Sequence, residues 1–163
     1  MNNRGFSLIE LLTVIALIGI LSAIGTFGFS QYLVKSRIAS QTRLLYGDLM
    51  EYRTKALYEK KKWTFKISAT GYGIYSSANT TVAPVKTITL RYGITSDNTD
   101  DIIFDTKGLI HFSSGISDMS LTKSACVSSE NDAVVDSVMI TATRVQVGKK
   151  TGVDCAAATI TTH

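Results

Sequence analysis

The chain has 163 residues, 45% of them hydrophobic and 18% charged, with 17 basic and 13 acidic side chains and a net charge of +4. That composition excludes a disordered or low-complexity chain and is enough for one core, not several domains. Two cysteines and two distant histidines, His111 and His163, exclude a disulfide-dense scaffold and a metal-spaced zinc cluster.

The chain opens with Arg4-Gly5-Phe6-Ser7-Leu8-Ile9-Glu10, followed by an uncharged run from Leu11 to Phe29. As a helix those residues reach about 28 Å, close to the thickness of a bilayer's hydrocarbon. A carboxylate at the head of such a run is costly in hydrocarbon and needs a partner or a task. A secretory signal peptide is the rival reading, with Ala23-Ile24-Gly25 as its small-residue cleavage site. The run is long for that role, and it continues into further helical pattern without a break.

Arg4 to Glu10 with the following apolar run resembles the processing signal of type IV prepilins and type II secretion pseudopilins. The resemblance implies cleavage by a prepilin peptidase between Gly5 and Phe6, and methylation of the new Phe6 amine. Glu10 becomes the fifth residue of the mature chain. It is expected to pair with the amine of Phe6 on an adjacent subunit, which offsets two charges in an apolar bundle and sets the register.

From Ser30 to Lys62 the pattern stays helical. Ile38, Leu45, Leu49, Tyr52 and Ala56 fall on one face, and Lys35, Arg37, Arg43, Arg53 and Lys55 on the other. After Trp63, β-branched residues and turn signals take over. Strands are expected over Thr64–Ser68, Tyr72–Tyr75, Lys86–Ile94, Ile102–Asp105, Leu109–Phe112, Val138–Ala142 and Arg144–Val147. A tight turn is expected at Asp105–Gly108, with loops at Ser113–Gly115, Ser128–Asp132 and Gly148–Gly152. The expected fold is α+β: a long N-terminal helix, membrane-spanning in its first half, packed on a C-terminal antiparallel β-sheet head. Its segments are a leader over 1–5, a spanning helix over 6–29, an amphipathic continuation over 30–62 and a head over 63–163.

The hairpin Ile102–Gly108 and the tail Val138–Lys149 resemble those of minor pseudopilin H and FimT-type pilins. This implies a pilin-like subunit with a secretion pseudopilus or type IV pilus as its assembly. Cys126 and Cys155 are expected to form a disulfide that clamps the last strands to the head, with two buried free thiols as the alternative. The pair suits an oxidising compartment, and with the prepilin signal it places the leader in the cytoplasm and the head in the periplasm. Lys35, Arg37 and Arg43 argue for the opposite orientation by the positive-inside rule, and the first two arguments are given precedence.

Residues 30–66 carry nine basic and three acidic side chains, whereas 67–163 carry seven and nine. The implied partners are the peptidase, neighbouring pilins or pseudopilins, and inner-membrane lipid. DNA is the alternative partner. FimT-type pilins with a Gly-Arg-x-Arg turn take part in DNA uptake. Here Arg144 matches one arginine, Thr143 and Gln146 replace the glycine and the other arginine, and Lys149 and Lys150 are the remaining phosphate contacts. Asp97, Asn98, Asp100 and Asp101 form a polar turn that lacks the glycine and glutamate of an EF-hand loop. No cofactor, metal or catalytic constellation is read, so the chain is expected to be a non-enzymatic assembly subunit.

Overall fold

The computed structural model describes residues 6–114, 121–128 and 133–162, without the side chains of 24–28. The chain divides into two compact units, Met1–Val34 and Lys35–His163. Helix α1, Leu8–Glu59, begins in the first and ends in the second. In the first unit its side chains from Leu8 to Leu21 are exposed.

In the second unit one face of α1 is buried: Ile38, Thr42, Leu45, Leu49, Tyr52 and Ala56. These alternate at spacings of four and three, which keeps them on one helical stripe. Thr42 fits among apolar neighbours because its hydroxyl donates to the Ile38 carbonyl at 3.0 Å. The helix stops at Lys60, whose φ of 54° is left-handed and cannot continue it. The expected continuation to Lys62 therefore ends three residues early.

The stripe packs on two antiparallel sheets. The first comprises β1 (Trp63–Ser68), β2 (Gly71–Tyr75), β3 (Lys86–Thr89), β5 (Ile102–Phe104) and β6 (Ile110–Phe112), ordered β3-β2-β1-β5-β6. The second comprises β4 (Ile94–Ser96), β7 (Thr122–Val127), β8 (Ser137–Thr141), β9 (Val145–Lys150) and β10 (Ile160–Thr162), ordered β10-β9-β8-β7-β4. One core joins Leu45, Leu49, Tyr52 and Ala56 of the helix to Phe65, Tyr72, Phe104 and Ile110 of the first sheet. Val138, Ile140 and Val145 of the second sheet complete it. Ile110 N–H also donates to Ala142 O at 2.9 Å, linking the sheets directly.

Polar contacts fix the helix on this core. Asp48 is buried and accepts a hydrogen bond from Tyr72 Oη at 2.5 Å, with Lys86 Nζ at 3.6 Å. Burial, and then the bond to Asp48, raise the Tyr72 phenol far above its ordinary range. Arg53 reaches both sheets: Nε donates to Gly108 O at 2.8 Å and an Nη to Thr143 O at 2.9 Å. Gly108 has φ +76°, and a Cβ there would lie 2.9 Å from the Leu57 side chain, so this turn needs glycine.

The expected strand Lys86–Ile94 is two strands in two sheets. β3 ends at Thr89, and the chain crosses to β4 through Leu90–Gly93. Leu90 and Ile94 turn inward, but their amides donate to the carbonyls of Thr70 and Ala69. The expected loop at Gly148–Gly152 starts later, because β9 runs through Gly148 to Lys150 and pairs with β10. A Cβ on Gly148 would approach Ile160 Cγ2 to 2.5 Å, so the glycine marks a close strand approach. Strands β7 and β10 were not expected. Gly115 and 129–132, within expected loops, lie outside the described residues.

Candidate processing and assembly site

At the N-terminal site, Gly5 lies outside the described residues, and Phe6 is 83% exposed. Ser7 O accepts from the amides of Glu10 at 3.0 Å and Leu11 at 3.2 Å. Ser7 is thus the residue from which the helix starts. Glu10 sits in the first turn, where a carboxylate complements the helix dipole. Ser7-x-x-Glu10 has capping-box spacing, a helix-start signal that the sequence reading passed over.

Glu10 is exposed, and among the described residues no cation pairs with it. Leu8, Ile9, Leu11, Leu12, Val14 and Ile15 around it are exposed as well. Consecutive helical residues point in every direction, so the segment is apolar all round. Such a helix is ordinarily covered, by lipid or by other helices. Among the described residues no helix is long and apolar enough to cross a membrane. The expected run Leu11–Phe29 includes 24–28, whose side chains lie outside the description.

In the head, Cys126 and Cys155 are joined by a disulfide across 29 residues of sequence. It fastens the segment between β9 and β10 to β7. Arg144 is exposed at the β8–β9 turn, where its amide donates to Thr141 Oγ1 at 3.1 Å. Lys149 and Lys150 are consecutive on β9 and point to opposite faces. Lys150 is buried, with Nζ donating to Val153 O at 3.3 Å and its amide to Asp136 Oδ1 at 2.7 Å. Arg144, Lys149 and Lys150 are therefore not gathered on one face.

The β5–β6 turn is held by Asp105. Its Oδ1 accepts from the amides of Lys107 and Leu109, each at 2.8 Å, and Oδ2 lies 3.2 Å from His111 Nε2. Burial opposes the charge, but the bonds from His111, Leu109 and Lys107 outweigh it and hold the carboxyl below its ordinary value. In the Asp97–Asp101 loop the cation is Lys123, which is 1% exposed. Its Nζ donates to Asn98 O at 2.9 Å, to Asn98 Oδ1 at 3.1 Å and to Asp100 O. Desolvation lowers the Lys123 pKa, against the fields of Asp97, Asp100 and Asp101. Among the described residues no group of three or more His, Cys, Asp or Glu side chains is placed to hold a metal ion. Sequence reasoning missed both Arg53 and Lys123, since their partners are mostly backbone carbonyls far away in sequence.

Residues 1–26 match the prokaryotic N-terminal methylation motif. No curated protein matches the chain. Among solved structures, the crystal structure of the type IV minor pilin FimU of Pseudomonas aeruginosa is similar in fold. The TM-score is 0.53 at 13% identity, covering 72% of this chain and 92% of that one. The chain thus carries an N-terminal methylation motif over residues 1–26 and shares the fold of a minor pilin over most of its length.

Proposed function

We propose that the chain is a minor pilin or pseudopilin subunit. It is cut after Gly5 by a prepilin peptidase and methylated on Phe6. It is held as a single pass in the inner membrane with its head in the periplasm, then drawn into a type II secretion pseudopilus or type IV pilus. The observation that carries this reading is the single carboxylate of Glu10 on an exposed, otherwise apolar helix start. Within an apolar bundle, the favourable partner is the Phe6 amine of a neighbouring subunit. The methylation motif over 1–26 and the fold shared with a minor pilin support the same reading. The role is structural: the head offers surfaces for assembly.

The test is Glu10→Val beside Glu10→Gln in a strain lacking the native gene. Both variants are expected to insert in the membrane and to be cleaved, and both are expected to be lost from sheared fibres. Full complementation by either variant contradicts the charge-pairing role. DNA uptake, the alternative, needs a basic edge. Arg144 is its one exposed arginine there, while the Lys150 amine is already engaged.

A further inference from the structure

The β4–β5 connection, 97–101, is where the chain leaves the second sheet for the first. It is short and polar, and it places backbone carbonyls inward without a strand to receive them. Lys123, on β7, supplies the donors. An ammonium has three N–H donors, and three oxygens face it: Asn98 O, Asn98 Oδ1 and Asp100 O.

The seat is itself braced. Ser96 Oγ donates to Asn98 O at 2.7 Å, and the Asp100 amide to Asn98 Oδ1 at 3.2 Å. The carboxylates are turned to other partners. Asp101 Oδ2 accepts from Thr80 Oγ1 at 2.9 Å, and Asp100 Oδ1 from Ser113 Oγ at 3.3 Å. The loop therefore meets its cation with neutral oxygens, while nearby carboxylates supply a negative field. That arrangement matches a primary ammonium, whose three donors need three directed acceptors. A divalent ion prefers six or more oxygens with carboxylates among them.

The structure assigns to the β4–β5 loop a seat for a primary ammonium, filled in cis by Lys123, which ties the crossover between the two sheets without a metal ion. The inference is independent of the assembly reading. Deleting the ammonium leaves Asp100 O without the donor that Lys123 gives it and strips one of two donors from each Asn98 oxygen, which is costly in a way that loss of an exposed lysine is not.

The test uses the full chain in detergent. Lys123→Ala is expected to lower Tm by about 10 °C, the scale for breaking a buried charged contact in a chain of this size. Propylammonium chloride is expected to restore part of the loss. Tetramethylammonium, with equal charge and no N–H donor, is expected to restore none, and the wild type is expected to respond to neither calcium nor a chelator. Three results overturn the proposal: a Lys123→Ala chain as stable as the wild type, recovery with calcium but not with propylammonium, or a wild type that melts earlier after chelation. Should Lys123→Ala fail to fold, the wild type carries the test by NMR. A Lys123 ammonium resonance protected from exchange supports the seat, and a freely exchanging one refutes it.

Discussion

Arg53 is the side chain through which the helix holds both sheets at once, so its removal has a calculable effect. Arg53→Met keeps most of the aliphatic stem and removes both donors. The Nε bond to Gly108 O is partly buried, whereas the Nη bond to Thr143 O is exposed. A bond to a charged donor is worth about 1.5–3 kcal/mol when water is excluded, and the exposed one contributes far less because water replaces it. The expected loss is about 2–3 kcal/mol, most of it from Gly108 O. For a chain of this size that lowers Tm by roughly 5–10 °C. The single tryptophan, Trp63, packs edge-on to Tyr52, the residue before Arg53, at 4.9 Å, and reports unfolding by fluorescence in urea. Hydrogen exchange should rise at the β5–β6 hairpin more than at the β8–β9 turn. An Arg53→Met chain within about 0.5 kcal/mol of wild type, a change typical of surface sites, refutes this account of how the helix is held.

Three further outcomes are expected. The Asp105 carboxyl is held below its ordinary 3.8, so its stabilising effect is complete above that value and is lost as pH falls through the lowered one. The urea-midpoint gap between wild type and Asp105→Asn should be flat above 3.8 and close in more acid solution, and a gap that widens there contradicts the assignment. Lys60→Gly removes a left-handed lysine at φ 54° and should stabilise by about 1 kcal/mol in urea denaturation; a loss of stability means the lysine side chain contributes something unseen. Replacing Cys126 and Cys155 by serine opens a loop closed across 29 residues and should cost about 3–4 kcal/mol in the chain-entropy account, with faster exchange at β10. Unchanged stability would mean that contacts around the bridge hold that segment unaided.

Much of this fold is visible in the residues, for reasons that also explain the failures. The buried helix face declares itself because Ile38, Leu45, Leu49, Tyr52 and Ala56 repeat at helical spacing, while the buried polar residues Thr42 and Asp48 hide in the pattern. The Asp105–Gly108 turn is legible because both its polar ligand and its left-handed glycine are local. Strand β7 is not, since Lys123 to Val127 are all buried and an alternating pattern exists only where one face meets water. Ile88, Leu90, Tyr92 and Ile94 do alternate, yet the chain changes sheets among them, which no local pattern encodes. Gly148 looked like a turn because glycine usually marks one, whereas its small size serves the approach of β10. At the candidate site, Phe6 and Glu10 are singled out only by a motif a few residues long. Lys123 and Arg53 were not, because a carbonyl acceptor has no residue identity to read.

The central claim is that this chain is matured as a pilin-like subunit. The most direct measurement is the mass of its N-terminal peptide after co-expression with a prepilin peptidase and extraction from the membrane. The account predicts a chain that begins at Phe6 with one methyl group on its amine, and a Gly5→Glu variant that keeps its leader. A chain that still begins at Met1 in the presence of active peptidase, or one that begins at Thr26 after signal-peptide cleavage, contradicts it.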